Sequence, residues 1–565
     1  MAVQIGFSSE YVVQDDFRVF LIWMQRFVDP TLLPNDLLAN YFQSVTPWGY
    51  GMLYQLAASL GIPPLLLSKL LPIGLGLVMT GYCFALCLKI LPIPIAGFIS
   101  ALLLNQSLWL KDDLLSAAPR AFLYPFLLAF LYYLLEGSWL LICLTIVLLG
   151  LFYPIGVLLA AGLLLLKLLI AIGASYQAKQ LKPLALQALS WQNLSRQFLF
   201  NQFRSHRNLL IYITGLAVAV LVLLSYAFNE SQFGPTVTLA EARTWQEFTP
   251  GGRIPFFDDA HPWNFWFKGS HSSLRLALNP PLVGAAFLLP LLMRYPSRFP
   301  LVKQIRNHVG ILAQMVWVSL AWFLIAHALF CRLYLPSRYT QHSLRIVMAL
   351  AGGIALTIVG DAILQKILKS SRSAILSKQN LLGISVMVLL GIMLLFYPNL
   401  FWKKYFPNDS YVFGEFPVLY TFLQHQPKDS VIASLTEETN NLPIFAQRSI
   451  LASREYGDPY HVGYYRRFRE RARDLIQAQY SPDLTELTRV IQKYKVSFWL
   501  LERSAFTPGY LKGNSWFSQY QPETAEAIAR LEQGTQPRLV DEIDRCSVFQ
   551  TGDLVLVEAK CIGKY

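Results

Sequence analysis

The chain has 565 residues, of which 54% are hydrophobic and only 14% charged, with a mean hydropathy of +0.41. A soluble domain carries about 25% charged residues, and the apolar residues here gather into runs of roughly 17–25, the length that crosses a bilayer. A wholly soluble enzyme is therefore excluded. The net charge of +13 fits the Lys and Arg that collect in cytoplasmic loops of membrane proteins, so no nucleic-acid partner is expected.

Residues 1–63 contain no spanning run. Within them stands "YVVQDDFRVFLIWMQRF" (11–27), which sets two adjacent carboxylates, Asp15 and Asp16, before an aromatic, amphipathic stretch. Ten apolar runs follow, at 64–88, 93–110, 121–135, 138–154, 156–173, 209–227, 281–293, 309–330, 346–364 and 380–401. The seventh is short and holds Pro290, which predicts a broken helix. The expected fold is a polytopic α-helical membrane protein with about ten transmembrane helices over 64–401.

Charge assigns sides. Segments 175–208 (Lys179, Lys182, Arg196, Arg204, Arg207), 294–308 (Arg294, Arg298, Lys303, Arg306) and 365–379 (Lys366, Lys369, Arg372, Lys378) are basic without an acid, which predicts a cytoplasmic position. Counting spans outward from them puts residues 1–63, the 111–120 loop, the 228–280 loop, the 332–345 turn and the tail on the extracytoplasmic side. An outward first loop with no span before it leads us to expect a further helix upstream of Met1.

The tail, 402–565, reads as a soluble extracytoplasmic α/β domain. "DSVIASL" (429–435) and "VSFWLLE" (496–502) have the pattern of buried strands. Residues 464–480 and 483–494 read as amphipathic helices, and 546–559 as a hairpin turning at Thr551-Gly552-Asp553. Of six cysteines, only Cys546 and Cys561 share this region, where an oxidising compartment permits a disulfide. The arginines at 466, 467, 469, 471 and 473 are interrupted by Glu470 and Asp474, which predicts a solvated helix face near anionic headgroups.

Outward acids occur as three pairs: Asp15 with Asp16, Asp112 with Asp113, and Asp258 with Asp259 beside His261. Close carboxylates repel, so one is protonated or a cation neutralises them, which suits a general base or a divalent-cation site. Arg120 in "SAAPRAF" and Arg338-Tyr339 in "LPSRY" lie at span ends, where an arginine clamps phosphate or snorkels to headgroups. His327 is an intramembrane ionisable group that a helix-to-helix hydrogen bond explains more simply. Mid-span charges are few (Lys167 and Asp361 lie near cytoplasmic ends), which argues against ion-coupled transport. No nucleotide-binding or soluble-hydrolase motif occurs.

An acidic pair in the first outward loop, then "ANYFQSVTPWGYGMLYQLAA" (39–58) and packed apolar helices, resembles the GT-C superfamily of integral-membrane glycosyltransferases. The resemblance implies a polyprenyl-phosphate sugar donor, with Asp15 and Asp16 as the catalytic pair and Arg120, Arg338 and Tyr339 at the donor phosphate. It implies Asp112 or Asp113 as further acidic ligands, of a divalent cation. The family's oligosaccharyltransferase motif, WWDYG, has no counterpart here. The alternative is a non-catalytic transport, assembly or scaffold protein on the same kind of bundle. Membrane lipids and the lipid-linked donor are the expected partners; sugar and acceptor are not legible.

Overall fold

The computed structural model describes residues 2–109, 112–185, 191–228, 231–276, 278–369, 377–405 and 411–563, the side chains of 2–3, 112, 175, 177–206 and 399–405 excepted. The expected basic segment 175–208 falls largely outside these described side chains, as does the middle of 365–379.

Six described helices are long and apolar enough to cross a membrane: Pro64–Ile90, Ile155–Ala174, Arg207–Ala227, Asn307–Ala328, Ser337–Leu368 and Lys378–Pro398. The other four expected spans are shorter. Pro94–Trp109 has 16 residues, while Leu123–Glu136 and Trp139–Phe152 have 14 each. At 1.5 Å per residue, 14 residues rise about 21 Å against a hydrocarbon core of about 30 Å. The stretch at 281–293 is broken, as Pro290 predicts: a 3₁₀ segment Pro281–Leu288 precedes a single α-turn, Leu289–Met293. Among the described residues, six helices are thus of spanning length, with shorter apolar helices between them.

One helix is central. In the apolar window of Ser337–Leu368, 67% of residues are buried inside the protein, against 6% for Lys378–Pro398, which leaves the latter open to lipid. The close fit needs a missing side chain: a Cβ on Gly353 would lie 2.6 Å from the Ser100 backbone nitrogen of the Pro94–Trp109 helix. This central helix also starts nine residues before the apolar run at 346, because "SRYTQHSLR" is already helical. That start carries two polar turns into the end of the bundle.

The loops separate to two ends. At one, Lys89 pairs with Glu136, the side chain of Arg207 lies against Gly137, and Arg306 and His308 hydrogen-bond the carbonyls of Ile90 and Lys89. At the other, the first loop, the 112–122 loop, the 231–276 loop and the tail meet. Strand β1 (Val12–Gln14) pairs antiparallel with β2 (Tyr411–Phe413). Thr236 bridges His461, and Gly463 donates to the Phe233 carbonyl. Tyr41 stacks on Tyr464 with ring centroids 3.6 Å apart.

The tail holds a five-stranded sheet of β3 (Val431–Ser434), β4 (Ser449–Ile450), β5 (Phe498–Glu502), β6 (Ser547–Thr551) and β7 (Leu554–Glu558), in the order β4-β3-β5-β7-β6. Its first three strands are parallel, so the β4 to β5 connection must cross over, and the helices Val462–Gln479 and Leu484–Tyr494 lie in it. Trp499, Leu500, Val555, Leu556 and Val557 are fully buried, as strands covered on both faces require. The hairpin turns at Gly552, whose positive φ of 57° suits a residue without a Cβ. Both strands, both helices and the hairpin read from sequence are present.

A disulfide joins Cys546 to Cys561 across that hairpin. Replacing both cysteines by serine is expected to lower tail stability by about 3 kcal/mol, the loop-closure figure for a ring of about 15 residues. The purified full chain should show a reduced thermal midpoint, and an unchanged midpoint would count against a stabilising role.

Candidate functional site

Asp15 and Asp16 open a 3₁₀ turn, Asp15–Phe17, whose first N–H groups need a partner. Gln14 supplies one, its side-chain oxygen accepting from the Phe17 N–H at 3.2 Å. The β1–β2 ladder fixes the turn on one side. On the other, Phe17 is fully buried, 5.6 Å ring to ring from Tyr54. The carboxylates are thus held while remaining partly open, at 45% and 36% side-chain exposure.

Each carboxylate faces a different arginine. Asp15 pairs with Arg18, which also donates to Glu455 at 3.0 Å and to the Asn441 side-chain oxygen at 3.0 Å. Glu455 in turn accepts from Arg253 at 3.0 Å. Asp16 pairs with Arg120, whose Nε lies 3.9 Å from Asp113. The first and second acidic loops therefore converge in space.

Beneath this rim lies a buried polar ladder. Asp113 pairs with Arg345, both at most 3% exposed. Arg345 donates to the Tyr124 hydroxyl at 3.1 Å, and that hydroxyl lies 2.7 Å from His342 Nδ1. The Tyr153 hydroxyl is 3.4 Å from His342 Nε2. Burial opposes ionisation of Asp113, but the guanidiniums of Arg345 and Arg120 outweigh it and hold the carboxyl well below the usual carboxylate range. Arg338, one turn before His342, hydrogen-bonds the Gln341 side chain at 3.3 Å; among the described residues it has no carboxylate partner.

The tail adds acids of the opposite tendency. Burial pushes Asp458 up to about 7, against the Tyr460 N–H and Arg253, which favour the charged form. Burial likewise raises Glu438 to about 7, although Tyr420 donates to it at 2.6 Å.

Asp15, Asp16, Asp113 and Arg120 come together, and Arg338 lies on the same helix as His342 and Arg345. Tyr339 does not join them: its hydroxyl donates to the Leu333 carbonyl at 2.8 Å and its ring packs beside Trp322. The side chain of Asp112 lies outside the described residues. Arg345, Arg120 and His342 face the Asp113 oxygens that a divalent cation would take, and no group of three His, Cys, Asp or Glu suited to a metal occurs among the described residues. The Asp258–Asp259 pair is a local device, bound to His261, Asn264 and Arg243. The His327 Nε2–H donates to the Ser272 carbonyl, 2.9 Å away, amid aromatic rings.

Sequence reading overlooked His342, Arg345, Tyr124, Glu455 and Arg253. For the first two a signal existed: Arg338, His342 and Arg345 stand at i, i+4 and i+7, one helical face. It was missed because the helix was expected to begin at 346.

No protein-family model matches the chain, and no curated protein does. Among solved structures it is similar to an Archaeoglobus fulgidus oligosaccharyltransferase tethered to an acceptor peptide. The two share 11% identity at a TM-score of 0.46, over 91% of this chain and 68% of that one. It is also similar to the same organism's AglB in complex with an inhibitory peptide and a dolichol-phosphate, with 11% identity, a TM-score of 0.45 and the same two coverages. A mycobacterial arabinofuranosyltransferase, AftD, gives 13% identity and a TM-score of 0.45 over 89% of this chain and 34% of that one. Likeness at this level carries no argument about activity.

Removing one partner of a buried pair strands the other charge. Arg345→Met is therefore expected to cost about 3–5 kcal/mol, and adding Asp113→Asn should recover part of it, measured by denaturation of the purified chain. Asp458 gives a pH test. Between about pH 4 and pH 7 the folded state keeps a proton that the unfolded chain loses, so stability falls as pH rises through that window. Asp458→Asn should match the parent near pH 3, below the unfolded pKa, and exceed it increasingly up to pH 8, leaving the smaller slope due to Glu438. Parallel melting curves for parent and variant would contradict the assignment.

Proposed function

We propose that the chain is a GT-C-like membrane glycosyltransferase. In this reading it moves a sugar from a polyprenyl-phosphate donor to an acceptor on the extracytoplasmic face. The observation that carries the reading is the Asp16–Arg120 pair, which puts a partly open carboxylate of the first loop against a cation of the second. A base and an anion-binding group stand together at the end of a lipid-embedded bundle, where a lipid-linked phosphate would arrive.

The chemistry asks for both. An acceptor hydroxyl attacks the anomeric carbon as the bond from that carbon to the phosphate oxygen breaks. Asp16 or Asp15 takes the hydroxyl proton, a role worth about 10²–10⁴-fold in rate. The departing lipid phosphate gains negative charge, which Arg338 and Arg120 would stabilise. Direct displacement inverts the anomeric centre. Asp113 and Arg345 touch no substrate in this scheme; they hold Arg120 and the Tyr124–His342 pair in place.

The extracytoplasmic assignment rests on the basic 294–308 segment standing at the opposite end of the bundle. In membranes supplied with radiolabelled polyprenyl-phosphate sugar, Asp15→Asn with Asp16→Asn is expected to reduce transfer at least 100-fold. Asp259→Asn, in an exposed turn paired with Arg243, should leave transfer intact. Turnover unchanged in the double variant, with the protein still folded, would sink the catalytic role and favour the scaffold alternative.

A further inference from the structure

Apart from the charged cluster, a cleft of about 420 Å³ opens between the first loop and the tail helices Val462–Gln479 and Leu484–Tyr494. Its volume falls within the range of ligand sites, about 300–1,000 Å³. Asn35 and Asn40 form one wall, with Arg467, Arg471 and Tyr494 opposite and Gln232 at the side.

The charges there are unequally engaged. Lys493 is held by Glu470 at 2.5 Å and Asp474 at 2.8 Å, so its charge is already matched. Arg471 lies over the Tyr494 ring at 5.7 Å and reaches the Leu451 carbonyl at 3.4 Å. Arg467 is exposed and has neither hydrogen bond nor ion pair among the described residues. Asn40 accepts from Arg26 at 2.8 Å, and its amide nitrogen has no partner among those residues.

Each group answers to one ligand chemistry. Carboxamides exchange hydrogen bonds with hydroxyls in both directions. The Tyr494 ring already lies under the Arg471 guanidinium and the Lys493 ammonium. The guanidiniums match carboxylate or phosphate oxygens through their fork of N–H donors. A polyol that also carries anions uses both the carboxamides and the guanidiniums. A lipid headgroup would use the cations alone and not the carboxamides of Asn35, Asn40 and Gln232, which line the cleft together with Leu37 and Phe233.

We infer that the cleft binds an anionic glycan, a sugar chain bearing carboxylate or phosphate. That this glycan is the acceptor rests on the proposed glycosyl transfer; the binding itself does not.

Calorimetry on the purified full chain in neutral detergent tests it, with oligogalacturonate as probe. Neutral malto-oligosaccharide, inorganic phosphate and phosphatidylglycerol serve as comparisons. Oligogalacturonate should bind, at least tenfold more weakly to Arg467→Glu, with Arg467→Lys between. Arg467 is exposed, and an unchanged thermal midpoint of each variant confirms its fold. Equal binding of the neutral oligosaccharide, or unchanged affinity in Arg467→Glu, would overturn the inference. Phosphate or phosphatidylglycerol binding as tightly as the oligosaccharide would reassign the cleft to a simple anion or a headgroup. Asp15→Asn with Asp16→Asn should still bind the probe, so loss of transfer and loss of glycan binding read out separately.

Discussion

A carboxylate taken out of water at the end of a helix bundle must be neutralised, and the arrangement of this end follows from that demand. Asp113 is 1% exposed and would not stay ionised alone; Arg345 reaches it from the central helix, and Arg120 approaches from the same loop. Because Arg120 is shared with Asp16, neutralising the buried acid also fixes the partly open one. Arg18 performs the same service between Asp15 and Glu455, which ties the first loop to the tail. Two chains of alternating charge thus meet at one turn of three residues. The energy of such pairs lies less in their net attraction than in the penalty of breaking them, so the rim is held together by the cost of separating its charges.

Much of this was legible. Apolar runs located every helix of the bundle, and basic segments separated its two ends before any contact was known. The tail's strands and helices followed from period and length. What failed did so for identifiable reasons. The helices Pro94–Trp109, Leu123–Glu136 and Trp139–Phe152 are shorter than the apolar runs that located them, because hydropathy measures composition and not rise. The helix start at Ser337 was missed because its first nine residues are polar, and in water that pattern would be a turn; here neighbouring helices bury it. The convergence of the acidic loops was not legible at all, since Asp16 and Arg120 are 104 residues apart. Tyr339 lies next to Arg338 in sequence and yet points elsewhere, as adjacent helical positions do at 100° per residue.

The two ends also differ in kind. The Lys89–Glu136 pair is half-open, and its surroundings are backbone carbonyls and loop turns. The other end carries the buried Asp113, Arg345 and His342, and in the tail burial drives Asp458 and Glu438 toward neutrality. Reactive chemistry needs such a covered, polar environment, because fixed dipoles act more strongly where water is excluded. The cleft beside Arg467 extends that face sideways, on the tail helices that cross between parallel strands.

The ladder between Val12–Gln14 and Tyr411–Phe413 has a bearing on biosynthesis. Its halves are separated by the whole bundle, so during translation the first half waits for its mate until the last hydrophobic helix has left the ribosome. Through that interval the acidic turn has no template, and the carboxylates acquire their geometry only as the polypeptide nears completion. Competence would then arrive late and all at once, with a partly made protein carrying the residues of the site but not its shape.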